Sequence, residues 1–121
     1  MYEAGVVGEF AAALSLSGDF GPATRMHGHT YRVELAIRGA DLRPDGTLFD
    51  IALLDSLLTG ALEPLHYQYL NDLPDFEGIN PTVEVVAKHI YDLIRPELRD
   101  FSISVRIWES PGAFAGYDGT D

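Results

Sequence analysis

Residues 27–38 alternate between two kinds of side chain with almost no interruption. In an extended chain successive side chains point to opposite faces. His27, His29, Tyr31, Val33, Leu35 and Ile37 therefore share one face, and Arg32, Glu34 and Arg38 the other. This predicts a strand from about His29 to Gly39 with two imidazoles at the mouth of its apolar face. Val6, Gly8, Phe10, Ala12, Leu14 and Leu16 alternate more weakly, which predicts an earlier strand over roughly 4–16. Ser17-Gly18-Asp19-Phe20-Gly21-Pro22 has loop chemistry, so the two strands are expected to pair antiparallel across a long connection. A final strand is predicted from Ser102 to Glu109, where the carboxylate of Glu109 continues the core-facing row of Ile103, Val105 and Ile107.

Between these strands the period changes to that of a helix. Leu42-Arg43-Pro44-Asp45-Gly46 reads as a tight turn, and Asp50 as an N-cap accepting from orphan backbone N–H groups. Ile51, Leu54, Leu58, Ala61, Leu62 and Leu65 then form one apolar stripe that should end near Pro64. A polar, aromatic loop follows from His66 to Asp72 and runs on to Gly78. Asn80-Pro81-Thr82-Val83-Glu84 starts a second helix, with Pro81 early and Glu84 in the first turn, where the helix dipole favours an anion. Val83, Val86, Ala87, Ile90 and Ile94 form its stripe, and Arg95-Pro96 stops it. One more short strand is expected near Phe49 or after Gly116. The fold class is α+β, an antiparallel sheet with two helices on one face, in one domain spanning residues 1–121.

Charge narrows the partners. Eight Lys and Arg stand against 19 Asp and Glu, a net of −11. So negative a surface repels phosphate backbones and anionic lipid, and neither nucleic acid nor membrane is expected as a partner. No apolar run approaches the roughly 18 to 20 residues that a membrane span needs. No secretory leader is expected, since the first residues lack a basic, apolar run, and the sequence has no cysteine for a disulfide, a thiolate ligand or a thiol nucleophile. The expected location is cytoplasmic.

Three clusters carry candidate chemistry. His27 and His29 could converge on one metal ion or one substrate, or could hydrogen-bond within a polar pocket. Glu109 is expensive to bury unless it is paired, so it either stands at the wet end of its strand or binds something. A carboxylate there suits the paired N–H groups of an amidine-like ring. His66, Tyr67 and Tyr69 could run acid–base chemistry or pack against a neighbouring subunit. Thr82 and Glu84 are candidate binding residues that a helix start alone would also explain. His89 is expected to face solvent and is assigned no role.

In order along the chain, these blocks resemble the 6-pyruvoyl-tetrahydropterin synthase family, which includes the 6-carboxytetrahydropterin synthases. Phe10-Ala11-Ala12-Ala13 resembles the family's Phe-x-Ala-Ala, and Met26-His27-Gly28-His29-Thr30-Tyr31 its Leu-His-Gly-His-x-Tyr. Asp45-Gly46-Thr47-Leu48-Phe49-Asp50 stands where the family has a Gly-Met-Val-x-Asp-Phe turn. Tyr69-Leu70-Asn71-Asp72, Asn80-Pro81-Thr82-Val83-Glu84 and Trp108-Glu109-Ser110 match the remaining blocks. The resemblance implies the tunnelling fold, association into trimers and hexamers, and active sites between subunits. It also implies a zinc held by three histidines, a cysteine base, an aspartate–histidine dyad from a neighbouring chain, and a glutamate that grips the pterin.

The sequence departs from that pattern at the reacting groups. Leu14 stands at the first zinc histidine, Ala23 at the cysteine, His66 at the aspartate and Tyr67 at the dyad histidine. His27 and His29 remain as metal ligands, with His66, Glu9 or Glu34 as candidates for a third. Thr82, Glu84, Glu109 and Tyr31 remain as the substrate-binding group, and His66, Tyr67 and His27 are the candidate catalytic residues. The expected function is a divergent lyase or cyclase acting on a small heterocyclic or oxygenated substrate. The alternatives are a non-catalytic pterin- or purine-binding module, or a structural partner of an active paralogue.

Overall fold

The computed structural model describes residues 1–119, so the last two residues of the expected 1–121 domain lie outside the described residues. In chain order it has β1 (Tyr2–Leu14), β2 (His27–Gly39), α1 (Ile51–Leu62), β3 (Gln68–Tyr69), α2 (Val83–Ile94), β4 (Ser102–Ser110) and β5 (Ala113–Tyr117). The sheet order is β3-β1-β2-β4-β5. Its pairs are antiparallel except for two-residue β3, which lies parallel to β1. α1 packs on β1, and α2 on β4 and β5, so both helices cover one face.

The alternation predicts the inner face well. Phe10, Ala12 and Leu14 of β1, Tyr31, Val33, Leu35 and Ile37 of β2, and Ile103, Val105 and Ile107 of β4 are all buried. Against them lie Leu54, Leu58, Ala61 and Leu62 of α1 and Val86, Ala87, Ile90 and Ile94 of α2, in one continuous cluster. Each such large aliphatic side chain contributes about 1.5–3 kcal/mol when fully withdrawn from water. Ile51, expected in the same stripe, is 50% exposed, because at the first helical position it overhangs the core.

Boundaries shift for identifiable reasons. Asp50 caps α1 as expected, Oδ1 accepting from Ala52 N–H at 3.0 Å and Leu53 N–H at 3.4 Å. Pro81 lies outside α2, since Thr82 takes the extended cap conformation (φ −65°, ψ 164°) and its Oγ1 accepts from Val85 N–H at 3.3 Å. Phe49 forms no strand, its ring meeting Phe101 edge-on at 5.6 Å, and the extra strand, β5, starts at Ala113 and not after Gly116. His89 is half-buried rather than solvent-facing, because Phe76 packs against it at 5.0 Å. β1 stops at Leu14, two residues early, and the next stretch is held by side chains instead of a neighbouring strand.

Candidate functional site

The two imidazoles fall at one end of the sheet, where β1 and β2 meet across a strict antiparallel register. Leu14 faces His27, Ala12 faces His29 and Phe10 faces Tyr31. His27 and His29 stand edge to face with ring centroids 5.0 Å apart, and His29 lies 5.4 Å from Tyr31. Both imidazoles are half-buried. His27 Nδ1–H donates to the Arg25 carbonyl at 2.8 Å, which orients the ring and leaves Nε2 as its free nitrogen.

Tyr31 stacks on Phe10 at 4.7 Å and is 2% exposed. The β2–β4 register ends at Arg32 opposite Trp108, the residues next to Tyr31 and Glu109 in their strands. Burial pushes the Tyr31 phenol well above its ordinary value, and the neighbouring Glu109 carboxylate adds to the shift. Glu109 is itself half-buried. Trp108 pairs with Phe114 and Ser110 with Ala113, so Glu109 is the extra residue of a β-bulge. Bulges of this kind re-aim a side chain and recur beside functional sites. The row His27, His29, Tyr31 and Glu109 is thus one contiguous polar margin of the apolar face.

The His66–Tyr67 segment approaches from β1's outer edge. Ala11 N–H donates to His66 Nδ1 at 3.0 Å, and Tyr67 N–H donates to the Ala11 carbonyl at 2.6 Å. The two rings lie 3.8 Å apart, and the Tyr67 ring is 80% exposed on a backbone with φ 60°. Tyr67 and His29 line one groove of about 500 Å³, whose floor is Ala11, Ala12, Ala13 and Gly28. Tyr69 lines the same groove, its hydroxyl 2.7 Å from Ser15 Oγ. Thr82 serves as a helix cap, and Glu84 is exposed in the first turn of α2.

A catalytic zinc takes three protein ligands. The β1 position opposite His27 offers the side chain of Leu14, 4% exposed and without a donor atom. None of the three candidate replacements completes the set. Glu34 pairs with Arg32 at 3.3 Å, His66 Nδ1 is taken by Ala11 N–H, and Glu9 stands on the helix-free face in register with Arg32. Among the described residues, no three His, Asp or Glu side chains are grouped so as to hold an ion. The residues present do not fit the zinc that the resemblance implies.

Two asparagines that sequence reasoning left without a role hold the chain leading to the site. Asn71 Oδ1 accepts from Ser15 N–H at 2.9 Å while its Nδ2 donates to the Ser15 carbonyl at 2.9 Å. Asn80 does the same for Ser17, at 2.8 and 2.9 Å. The signal was available: an irregular stretch must still pair its backbone groups, and an amide side chain offers both a donor and an acceptor.

Comparison with known proteins agrees with this architecture. The family model described as 6-pyruvoyl tetrahydropterin synthase matches residues 5–120. The chain is 33% identical over 102 residues to the 6-pyruvoyl tetrahydrobiopterin synthase of Dictyostelium discoideum, covering 83% of this chain and 76% of that one. It is 33% identical over 106 residues to the 6-carboxy-5,6,7,8-tetrahydropterin synthase of Bacillus subtilis, covering 80% and 70%. The structure of Caenorhabditis elegans 6-pyruvoyl tetrahydropterin synthase superposes with a TM-score of 0.88 at 24% identity, over 98% of this chain and 96% of that one. With its fold, its motif blocks and most of its length matched, the chain belongs to the 6-pyruvoyl tetrahydropterin synthase family.

Proposed function

We propose that this protein is a divergent lyase or cyclase of its family, acting as a single domain over residues 1–121 on a small heterocyclic substrate of the pterin kind. Family membership supports a tetrahydropterin synthase-like lyase in pterin biosynthesis. The observation that carries the reading is Glu109, set out of register by a bulge and placed beside buried Tyr31 at the margin of the core. A carboxylate there accepts two hydrogen bonds from the adjacent N–H groups of an aminopyrimidinone ring, a paired and charge-assisted recognition. Tyr31 supplies a protonated phenol beside it. Thr82 and Glu84 border the substrate from the start of α2, and His27 and His29 contact its oxygens through ring nitrogens.

His66 and Tyr67 take the proton-transfer roles. Tyr67 shares a groove with His29, and its hydroxyl is accessible to a substrate or to a second copy. Assembly of copies into trimers or hexamers brings this exposed segment of one chain to the histidine pair of another. Two largely unpaired sheet edges support that arrangement: β5 on one side, and most of β1 on the other, since β3 covers only Ala12 and Ala13. The working location is cytoplasmic.

Leu14, Ala23, His66 and Tyr67 favour one second reading, a binding module that holds a pterin or purine without transforming it. Loss of a positioned base alone costs on the order of 10²- to 10⁴-fold in rate. Calorimetric titration with neopterin or sepiapterin, beside a Glu109→Gln variant, tests the shared core of both readings. Saturable binding abolished by the substitution supports the pterin grip; no binding up to millimolar ligand refutes it. Turnover of the bound pterin, lost on replacing His66 or His27, then separates enzyme from carrier.

A further inference from the structure

Three positions on one face of a two-stranded ladder surround a common point: two residues i and i+2 on one strand, and the residue opposite the first on its neighbour. Directly opposed Cβ atoms lie about 4.5–5.5 Å apart. Residues i and i+2 are separated by about 6.5 Å of strand rise. Imidazoles at all three corners can bring a nitrogen to within the ~2.0–2.1 Å that zinc requires. Here the corners are His27, His29 and Leu14.

Leu14 is not a ligand turned aside. Its isobutyl group is 4% exposed and belongs to the continuous core with Phe10, Ala12 and Tyr31. A bound water cannot replace it there without evicting packed hydrocarbon. The two histidines make the best of what remains, His27 anchored to the Arg25 carbonyl and His29 set edge-on against it. We infer that this chain carries no resident zinc at His27 and His29, and that Leu14 is the residue that makes the pair a metal-free imidazole site. The substrate then meets the free ring nitrogens of the pair directly, His27 through Nε2, in place of a Lewis acid, and the surrounding fold stays that of a metal-binding family. The inference stands apart from the identity of the substrate.

The test uses protein prepared without a histidine tag from zinc-supplemented culture. Zinc measured by mass spectrometry is expected to be far below one ion per chain after dialysis. Cobalt(II) titration of the wild type is expected to give only weak binding without intense tetrahedral absorption. Leu14→His should tighten cobalt and zinc binding by at least the ~100-fold that even a supporting hydrogen bond can contribute at such sites. Adding His29→Ala to that variant should remove the gain. Leu14→Cys, smaller and with a thiolate donor, gives the same readout should the histidine variant fail to fold. One zinc per chain retained by the wild type overturns the inference, whether the third ligand comes from the same chain or from a second copy. So does a folded Leu14→His or Leu14→Cys protein that binds metal no better than the wild type. Neither result bears on pterin binding.

Discussion

Asn71 pairs with Ser15 as a strand would, its side-chain amide accepting from the Ser15 N–H and donating to the Ser15 carbonyl, both at 2.9 Å. One side chain thereby satisfies both backbone groups just where β1 gives out, and Asn80 repeats the device at Ser17. The Ser15 bonds are partly buried and the Ser17 bonds exposed. An unsatisfied buried polar group costs about 1–3 kcal/mol, whereas an exposed one turns to water. Asn71→Ala is therefore expected to lower stability by about 1–3 kcal/mol, and Asn80→Ala by under about 1 kcal/mol. Asn71→Asp keeps the acceptor but sets a carboxylate oxygen against the Ser15 carbonyl, and should cost at least as much as alanine. Urea midpoints measure all three, and an Asn80 effect as large as that of Asn71 would contradict the account.

Tyr31 makes the stability of the protein sensitive to alkali. Its phenol is held above the ordinary value of 10.0 by burial first and by Glu109 second. The native state thus keeps a proton that the unfolded chain gives up. Stability from this source is complete below about pH 10 and falls as pH rises beyond it, by up to ~1.36 kcal/mol per pH unit. Tyr31→Phe retains the stack on Phe10 and removes the titration. The difference in unfolding free energy between wild type and variant should be flat up to about pH 10 and then shrink in the variant's favour. Denaturant melts between neutral and strongly alkaline pH provide the check, and a constant difference over that whole range would be the wrong outcome.

Much of this could be read from residue order, and the misses share a cause. The period-two rows of β1, β2 and β4 and the stripes of the two helices follow from which side chains avoid water, a property each residue carries by itself. The pairing of Leu14 with His27 depends on the register of two strands joined by a long connection. The blocks that resemble the family supplied position 14, and only the ladder shows what faces it. Asn71 and Ser15 are 56 residues apart in sequence, and no local pattern announces a side chain that stands in for a strand. The bulge at Glu109 was hidden for a similar reason. Its phase with Ile107 was legible, but the slip arises from pairing with β5 across Ser110, Pro111 and Gly112.

His66 illustrates a residue whose structural task is plain and separable from any chemistry. Its Nδ1 accepts the Ala11 N–H at an exposed sheet edge, so the bond is worth about 0.5–1.5 kcal/mol. His66→Ala should speed hydrogen exchange at the Ala11 amide by roughly two- to ten-fold, the factor that free energy implies. His66→Asn places an acceptor oxygen near the position of Nδ1 and should restore most of the protection. If the asparagine variant also loses activity on a pterin while keeping protection, the imidazole has a role beyond holding the edge.

Tyr67 sets strain against exposure. An aromatic residue at φ 60° is held in a conformation that glycine and asparagine adopt far more readily. Such strain costs about 1–3 kcal/mol and persists only where the surroundings enforce it. The enforcement here is the Tyr67 N–H bond to the Ala11 carbonyl, which any substituent at this position keeps. What Tyr67 itself offers the fold is its side chain, 80% exposed, with the ring tilted 33° against that of His66 at 3.8 Å. Relief of strain and loss of that ring contact, worth about 0.5–1.5 kcal/mol, nearly cancel. Tyr67→Asn should therefore leave the thermal midpoint within a few degrees of the wild type, since ~1 kcal/mol corresponds to about 4–8 °C in a domain of this size. Pterin affinity or turnover should nevertheless fall, because the tyrosine that lines the groove with His29 is gone. A variant that loses stability and keeps its ligand chemistry would show that the strained tyrosine serves the sheet edge and not the site.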